Sequence, residues 1–418
     1  MKDFDIIIVG GGAAGFFTAI NAAENNRTLK IAILERGKEV LTKVKVSGGG
    51  RCNVTHAEFI PKELTQNYPR GEKELLGPFH SFMTGDTIAW FEQRGVVLKI
   101  EEDGRMFPVT DSSQTIIDCF ISETARLGIE ILKNHSVKDI QRNESGWFLT
   151  TSAHVLPEAL AEGQGGFKAD KLVLATGSNP KVWKLIESLG HSIIPAVPSL
   201  FTFNIKDGRI TELPGVSTDA SVKVVDARGA VQLESEGPLL ITHWGMSGPA
   251  ILKLSAWGAR ILEPTGYKFS IKVNWLLDVS EEKVLDQLMD FKDTQPKQTL
   301  LKYAQFELPK RLWQSLVLAA GIDASETWAD ISKKRLHNLA NQITTSHFDV
   351  DGKSTFKEEF VTAGGIDLKE VNFKTFGSRL QDNLYFAGEV LNIDAITGGF
   401  NFQNAWTGGY IVAKALTE

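Results

Sequence analysis

The apolar positions of the first 194 residues follow two alternating periods. Residues 5–9 form a short apolar run that predicts a strand, and the pattern from Ala13 predicts a helix. A second apolar run over 29–34 predicts another strand. Later segments predict a helix with an apolar face at Ile116, Ile117, Phe120, Ile121 and Leu127, and strands at 129–133, 147–151 and 171–176. Strands and helices in alternation are typical of an α/β domain.

The pattern changes twice in the middle of the chain. Residues 195–277 predict a small antiparallel barrel or sandwich, with short alternating runs at 201–205, 221–225 and 268–273. From 278 to 348 the period becomes helical, and Pro309 is expected at the first position of one helix. One apolar face of this helical segment consists of Val284, Leu285, Leu288 and Met289.

After residue 355 the α/β pattern returns. Residues 383–387 predict a buried strand, and Gly398 with Gly399 opens a final helix. An α/β segment at each end of the chain implies one domain interrupted by an insertion. The predicted organisation is therefore a discontinuous domain of 1–194 and 355–418, a β-barrel insert of 195–277 and a helical insert of 278–348.

A glycine turn follows the first predicted strand, with the spacing Gly10-x-Gly12-x-x-Gly15. The first glycine suits a tight turn, the second lets the main chain approach a pyrophosphate, and the third permits close packing of the helix on the sheet. Glu35 ends the second predicted strand, where a carboxylate accepts hydrogen bonds from ribose hydroxyls. The nucleotide contacts predicted here are Gly10, Gly12, Ala13, Ala14, Gly15, Glu35 and Arg36.

Composition excludes several classes of protein. The net charge of −6 over 418 residues gives no global attraction to nucleic acid or to an anionic membrane. Only Cys52 and Cys119 are present, which excludes a disulfide framework, a cysteine-rich metal site and the close cysteine pair of a flavin disulfide reductase. No apolar run approaches the length of a bilayer span, and no leader pattern precedes the first strand. We therefore expect a cytoplasmic protein without a membrane or metal partner.

Several further motifs carry a resemblance that covers nearly the whole chain. They are Ser47-Gly-Gly-Gly-Arg-Cys-Asn53, Gly104-Arg-Met-Phe-Pro108, Ala175-Thr-Gly177, Thr242-His-Trp-Gly-Met-Ser-Gly-Pro249, Val361-Thr-Ala-Gly-Gly365, Phe386-Ala-Gly-Glu389 and Ile396-Thr-Gly-Gly-Phe-Asn401. Their wording and order resemble the BaiN-like family of FAD-dependent oxidoreductases, within the two-dinucleotide-binding-domain flavoproteins. The resemblance implies a discontinuous Rossmann-like FAD-binding domain that carries an inserted β-barrel and a helical subdomain.

The loop at 47–53 is predicted to hold part of this cofactor. Ser47, Gly48, Gly49 and Gly50 offer successive backbone N–H groups beside the cation of Arg51, an arrangement suited to an anion or to the flavin ring edge. Cys52 and Asn53 complete the loop. Lys43 precedes it and is predicted to face phosphate, although a lysine on a solvated helix face is an equally good interpretation.

The other predicted cofactor contacts follow from the resemblance. Ala175, Thr176 and Gly177 would turn the chain where FAD crosses the sheet edge, against the alternative of a simple strand-end turn. Gly388 and Glu389 would place a carboxylate near the ribityl chain, where the wider group often has the shorter Asp. The helix that opens at Gly398 would direct its positive end at the flavin. Gly399 belongs to the same helix start. The resemblance also assigns ring contacts to Phe400 and Asn401, and an adenine contact to Val137, for which a core strand position is the alternative.

Two side chains are candidates for proton transfer. Cys52 lies beside Arg51, and a nearby cation lowers a thiol pKa, although a small residue needed for packing is the alternative interpretation. His243 lies in the barrel insert, where a structural histidine is the alternative to a substrate-side role. Cys119 is expected to be a core residue of its helix.

The resemblance leaves three functions open. The sequence contains one dinucleotide fingerprint, so NAD(P)H is expected to dock transiently and reduce the flavin. The first function is a small-molecule reductase of a C=C bond conjugated to a carbonyl, by hydride from flavin N5. The second is a ribosomal RNA dihydrouridine synthase, which is motivated by basic residues of the helical insert at Lys310, Arg311, Lys333, Lys334 and Arg335, against the alternative of an ordinary solvated helix face. The third is a non-catalytic flavin redox sensor.

Overall fold

A computed structural model describes residues 1–152, 166–355 and 361–418. The chain divides into two compact units. Unit 1 holds the described residues of Met1–Val197 and Lys357–Glu418, and unit 2 holds those of Pro198–Phe356. The predicted start of the second α/β segment, at 355, is followed directly by residues outside the described ones.

The strands of both units, in chain order, are as follows. They are β1 Lys2–Val9, β2 Ile31–Leu34, β3 Thr55–His56, β4 Leu98–Ile100, β5 Arg105–Pro108, β6 Glu130–Leu132, β7 Val137–Asn143, β8 Gly146–Thr151, β9 Phe167–Leu174, β10 Ile193–Ser199, β11 Thr202–Asn204, β12 Ser217–Val225, β13 Val231–Thr242, β14 Gly245–Ser247, β15 Lys268–Asn274, β16 Ser346–Asp351, β17 Lys353–Ser354, β18 Val361–Ile366, β19 Val371–Asn372, β20 Gly377–Ser378 and β21 Leu384–Phe386.

The α-helices are given in the same order. They are α1 Ala13–Asn25, α2 Thr42–Gly50, α3 Pro61–Thr65, α4 Glu72–Phe79, α5 Thr84–Glu92, α6 Ser113–Arg126, α7 Pro180–Ser188, α8 Gly208–Thr211, α9 Pro249–Trp257, α10 Ala259–Leu262, α11 Glu281–Thr294, α12 Lys310–Ala319, α13 Lys333–Thr344 and α14 Phe400–Thr417.

Unit 1 is built on a parallel sheet with the order β21-β9-β1-β2-β6. Its inner strands are nearly continuous apolar runs because helices cover both faces of such a sheet. Every residue of β2 is buried, and so are Ile6, Ile7 and Ile8 of β1. Helices α1 and α14 pack closely, since a Cβ atom at Gly409 would lie 3.1 Å from Thr18 Oγ1. The predicted α/β fold class is confirmed.

Helix α6 contains the apolar face that the sequence predicted, with one exception. Ile116 and Phe120 are fully buried, whereas the side chain of Ile121 is 38% exposed. Residue 121 lies one position beyond the 116–120 stripe, about 100° round the helix, and so faces away from the core. Its inclusion in the buried face was wrong.

Unit 2 contains an antiparallel barrel. The strand path is β16-β15-β12-β13-β14-β11-β17, and its two ends are consecutive in the chain on either side of Gly352. Because β16 pairs with β15 and β17 pairs with β11, and β16 and β17 belong to one run of chain, the path of these strands closes on itself. The closing strand corrects the predicted bounds of the helical insert, since α13 ends at Thr344 and residues 346–348 are already strand.

The helices of unit 2 bury the expected apolar face. Val284 and Leu288 of α11 are fully buried, as are the large rings of Trp313 and Trp328. Pro309 was predicted to be the first residue of a helix. It instead lies immediately before α12, with ψ at 130°. Its fixed φ suits this extended capping position as well as it suits the first helical turn.

The two arginines among the basic residues that motivated the RNA interpretation lie apart. Arg311 donates to the backbone carbonyl of Glu212, near the N-terminal end of α12. Arg335 donates to the carbonyl of Gly321, beyond the other end of α12, and forms a 2.6 Å ion pair with Glu326. Ten residues of helix separate the two ends by about 15 Å. The basic residues are therefore two small groups, in each of which the arginine already has an internal partner.

A buried histidine joins two parts of unit 1. The Nδ1–H of His191 donates to Glu370 Oε2 at 2.9 Å, and its Nε2 lies 2.9 Å from the Ser378 hydroxyl. The Ser378 oxygen also accepts from the backbone N–H groups of Leu380 and Gln381. Burial lowers the pKa of His191. The histidine is therefore neutral at pH 7 and acts as a structural connection.

This histidine makes stability depend on pH below neutrality. Unfolded His191 is protonated below pH 6.5, whereas the folded state holds it neutral to a lower pH. Its contribution is therefore complete above pH 6.5 and is lost as the pH falls from there. We expect urea unfolding at pH 7.5 and 5.5 to show a smaller pH-dependent loss in the free energy of unfolding in His191→Gln than in the wild type. Equal losses in the two proteins would contradict this assignment.

Candidate dinucleotide site

The strands of the parallel sheet end together at one edge of unit 1. Val9 of β1 is in register with Leu34 of β2 and with Leu174 of β9, and Leu174 is in register with Phe386 of β21. The residues that follow these strands therefore meet at this edge, which is where open α/β sheets bind ligands. They are Gly10, Glu35, Ala175 and Ala387.

The three glycines of the first turn have different reasons for lacking a side chain. A Cβ atom at Gly10, where φ is +118°, would lie 2.3 Å from the Ala175 carbonyl oxygen. One at Gly15 would lie 2.1 Å from the Gly10 carbonyl oxygen. A Cβ at Gly12 would meet no atom within 4 Å. Protein packing thus requires the first and third glycines, whereas the second leaves an open approach to the N-terminus of α1.

Glu35 connects this turn to the second strand. Its carboxylate accepts from Gly11 N at 2.9 Å and from Gly37 N at 2.7 Å. The acid therefore lies at the predicted edge and orients the glycine turn directly. Its neighbour Arg36 is exposed. Contacts of either side chain with a ribose remain a proposal.

The loop at 47–53 has the open backbone that its sequence predicts. Helical geometry breaks at Ser47, and Gly48 and Gly49 adopt left-handed angles. A Cβ atom at Gly49 or Gly50 would meet no atom within 4 Å. This part of the loop consequently offers main chain to a ligand without obstruction by its own side chain.

Arg51 does not leave its positive charge free for a ligand. Its guanidinium forms a 2.6 Å ion pair with Glu101 and lies 3.9 Å from the centre of the Phe107 ring. A second acid, Asp111, lies 3.5 Å away. The predicted pairing of this cation with an anion or a flavin edge therefore competes with acids that the protein itself supplies.

The predicted activation of Cys52 is wrong. The side chain is fully buried, and burial raises the pKa of its thiol to about 12. The Arg51 guanidinium that was expected to stabilise a thiolate is occupied by Glu101. Cys52 is therefore a neutral thiol at pH 7, as its packing interpretation requires. Cys119 is also buried, with its pKa raised to about 11, in keeping with the expected core position.

The final helix passes the same edge of the sheet, since a Cβ atom at Gly388, just after β21, would lie 3.9 Å from Ala405 Cβ. Gly399 precedes α14 with φ at +97°, and the first turn of this 18-residue helix contains no acidic side chain. A Cβ atom at Gly399 would lie 2.5 Å from the Thr55 carbonyl oxygen, so the turn packs tightly on β3. The buried Oδ1 atom of Asn53 lies beside this turn and has no hydrogen-bond partner among the residues that the structure describes. A buried polar atom without a partner indicates a place for a ligand atom or water.

Sequence reasoning missed a histidine that supports this turn. His56 Nδ1 donates to the Gly398 carbonyl oxygen at 3.0 Å, and its ring stacks on Phe400 at 4.5 Å. Phe400 is itself buried, and its carbonyl accepts a 2.6 Å hydrogen bond from Tyr68. No local pattern around His56 indicated that it would lie against a residue 342 positions away.

An ion pair that the sequence also missed anchors the segment before the helix. Asp394 has no exposed surface and accepts two hydrogen bonds from Arg70, one from Nε at 2.6 Å. The amide of Asn401 bonds at both ends to the backbone of Ala395, next to Asp394. The side chain of Asn401 therefore fixes the turn, and its predicted ring contact is a proposal.

The remaining predicted residues fall in separate places. Glu389 and Lys43 are brought together, with Lys43 Nζ 2.5 Å from Glu389 Oε2. Val137 is buried at the start of β7, and Thr176 and Gly177 follow the buried end of β9. His243 belongs to unit 2, in the exposed turn between β13 and β14. Among the described residues, no group of three His, Cys, Asp or Glu side chains could hold a metal ion.

The membrane question is addressed by the helices themselves. Within residues 1–152, 166–355 and 361–418, no helix is both long enough and apolar enough to span a bilayer.

The parallel sheet, its glycine turn and the acid after the second strand define a Rossmann-type dinucleotide-binding protein. The chain belongs to the HI0933-like protein Rossmann domain family, whose model matches residues 4–415. The predicted resemblance to the BaiN-like family of FAD-dependent oxidoreductases is confirmed, and with it the enzyme class.

Three relatives are similar over their whole length. A ribosomal RNA dihydrouridine synthase of Haemophilus influenzae is 30% identical, covering 99% of this chain and 98% of the relative. A protein of the same name from Escherichia coli is 28% identical, covering 100% and 98%. A 3-dehydro-bile acid delta(4,6)-reductase of Clostridium scindens is 27% identical, covering 98% of each chain.

Solved structures support the fold alone. A 3-ketosteroid delta1-dehydrogenase from Sterolibacterium denitrificans has a TM-score of 0.52 at 11% identity, covering 100% of both chains. A 3-ketosteroid-delta4-(5alpha)-dehydrogenase from Rhodococcus jostii RHA1 has a TM-score of 0.51 at 12% identity, covering 99% of this chain and 97% of that chain.

Proposed function

We propose that the protein binds FAD at the edge of the parallel sheet and uses it to reduce a C=C bond conjugated to a carbonyl group. The residues present fit this cofactor. Gly12 leaves open space at the N-terminus of α1, as a pyrophosphate requires, and Glu35 lies at the end of β2 where a ribose would be held. The unpartnered Asn53 Oδ1 lies beside the N-terminus of α14 and suits an N–H group of a flavin.

The chain's own groups would orient the reaction. When bound and reduced, the flavin would supply a hydride from N5 to the electron-poor carbon and would itself be oxidised, while a proton adds to the neighbouring carbon. The first turn of α14 contains no acidic side chain, so the positive partial charge at its N-terminus would stabilise negative charge on a nearby group. His56 and the Arg70–Asp394 pair hold this helix start in position.

We propose NAD(P)H as the electron source. The sequence has one glycine fingerprint, so the coenzyme would dock only transiently against the site and leave before the substrate enters. Neither Cys52, which is buried, nor His243, which belongs to the other unit, is assigned as proton donor. The proton would then come from a water molecule or from a group on the substrate side of the flavin.

The substrate proposed is a uridine of ribosomal RNA. The observation that carries this choice is the match to two ribosomal RNA dihydrouridine synthases over at least 98% of each chain, at 30% and 28% identity. Uracil contains the required C=C bond conjugated to a carbonyl. A steroid-like dienone is the second candidate, because the bile acid reductase matches over a similar length at 27% identity.

The two substrates are separated by complementation in Escherichia coli. The test strain lacks its own ribosomal RNA dihydrouridine synthase and expresses this chain from a plasmid. Mass spectrometry of nucleosides from purified ribosomal RNA then measures dihydrouridine. We expect the wild type to restore it and Gly12→Asp, which should not hold FAD, to leave it absent.

A parallel assay with purified protein covers the other candidate. The flavin is reduced with NADPH without oxygen, and its reoxidation by either ribosomal RNA or a 3-keto-4,6-diene steroid is followed by absorbance. Reoxidation by the steroid together with failed complementation would replace the RNA proposal with the small-molecule one. A flavin that neither acceptor reoxidises would contradict both.

A further inference from the structure

The ion pair between Lys43 and Glu389 connects two elements on opposite sides of the dinucleotide edge. Lys43 lies in the first turn of α2, and the residue before that helix, Leu41, donates its N–H to the Gly11 carbonyl at 2.8 Å. The lysine side of the pair is thereby tied to the glycine turn after β1.

Glu389 is tied to the other side of this edge. It lies three residues beyond the end of β21 and follows Gly388, where a Cβ atom would lie 3.0 Å from Ala14 Cβ. Its Oε1 accepts from the backbone N–H of Thr362 at 3.2 Å. Its Oε2 would lie 3.6 Å from a Cβ atom at Gly177, in the turn after β9. The carboxylate is therefore held in place by residues other than Lys43.

The pair closes a link across the sheet edge. It connects the turn after β1 with the turns after β9 and β21, through a 2.5 Å contact between residues 346 positions apart. We propose that Lys43 and Glu389 form a clasp across this sheet edge that opens to admit FAD and, once closed, slows its release. The inference rests on the proposed function in that FAD is taken as the ligand of this edge.

The exposures of the two side chains support a moving and a fixed partner. Lys43 is 61% exposed, whereas Glu389 is 20% exposed. A long, exposed lysine can swing away into water at little cost, while the less exposed carboxylate, which also accepts from Thr362 N, keeps its place. An exposed ion pair contributes only modestly, so we expect its loss to accelerate FAD release by about threefold to fivefold rather than to abolish binding.

The experiment measures release of FAD from the purified holoprotein. Apoprotein of an unrelated high-affinity flavoprotein captures the released FAD, and the recovery of its absorbance gives the rate. The variants are Lys43→Met, Glu389→Gln, the double variant, and the charge exchange Lys43→Glu with Glu389→Lys. The control is Lys45→Met, a lysine of the same helix that is 58% exposed and lies 3.6 Å from Glu39 instead.

Non-additivity identifies the clasp. If the residues act as a pair, both single variants and the double variant release FAD at the same raised rate, and the charge exchange returns the rate toward that of the wild type. Raised salt should accelerate release from the wild type and leave the double variant unchanged. Lys45→Met should behave as the wild type.

Other outcomes are equally informative. The clasp would be overturned if the double variant accelerated FAD release by the product of the two single effects and the charge-exchange variant did not recover the wild-type rate. Lys43 and Glu389 would then make two independent contacts with the cofactor. Unchanged release in all variants would overturn it as well. A wild-type protein that binds no FAD would instead contradict the proposed function. Circular dichroism melting of each variant identifies any that fail to fold, and the rates of the folded single variants still decide the question.

Discussion

Gly12→Asp should abolish FAD binding and leave the apoprotein folded. The backbone at this position is extended, with φ at −98° and ψ at −171°, which any residue adopts, and a Cβ atom would meet nothing within 4 Å. The residue caps α1, where aspartate is a favoured side chain, so the apoprotein should keep or gain up to about 1 kcal/mol of stability. The new carboxylate would meanwhile occupy the approach to the N–H groups and repel a pyrophosphate.

Flavin fluorescence after denaturation of the purified protein measures the bound FAD, and urea unfolding of the apoprotein measures stability. Gly10→Ala and Gly15→Ala are the matched controls. A Cβ atom there would lie 2.3 Å and 2.1 Å from backbone oxygen atoms, so these variants should lose stability in the apoprotein as well. An aspartate variant that retains stoichiometric FAD would remove the first turn from the binding site.

The sequence predicts the parts of unit 1 in which a local pattern determines a local structure. The turn of Gly10 and the acid at Glu35 follow from spacing alone, because both lie at the ends of adjacent parallel strands. The same reasoning from local pattern could have predicted strand β16. Ser346, Phe348 and Val350 are buried in alternation, a period of two that was subsumed in the preceding helical segment.

Contacts between distant residues explain most of what the sequence did not reveal. The sequence suggested that Arg51 is a free cation beside Cys52. In the structure its guanidinium donates to Glu101, which lies fifty positions further along the chain. The burial of Cys52 likewise depends on packing that cannot be read from the residues next to it in the sequence. His56 and Asp394 were missed for the same reason, since their partners Gly398 and Arg70 lie more than 300 positions away.

Breaking a buried ion pair by removing one of its charges is costly, and the pair before α14 is such a case. Asp394→Asn would remove the carboxylate that pairs with the Arg70 guanidinium, whose side chain is 14% exposed. We expect a loss of about 3–5 kcal/mol in the free energy of unfolding, measured by urea titration. Glu130→Gln is the control, because its pair with Lys2 has side chains 51% and 59% exposed and should contribute less than about 1 kcal/mol.

The same substitution should also weaken FAD binding, because Asp394 fixes the segment that leads to Gly399 and the start of α14. The apolar double variant Arg70→Met with Asp394→Leu separates the two effects. It removes both charges, so stability should largely return, whereas the turn loses its bidentate anchor and FAD binding should stay weak. If stability and FAD binding both recovered in the double variant, the ion pair would matter only because each charge neutralises the other. If neither recovered, the two side chains would act through their packing alone.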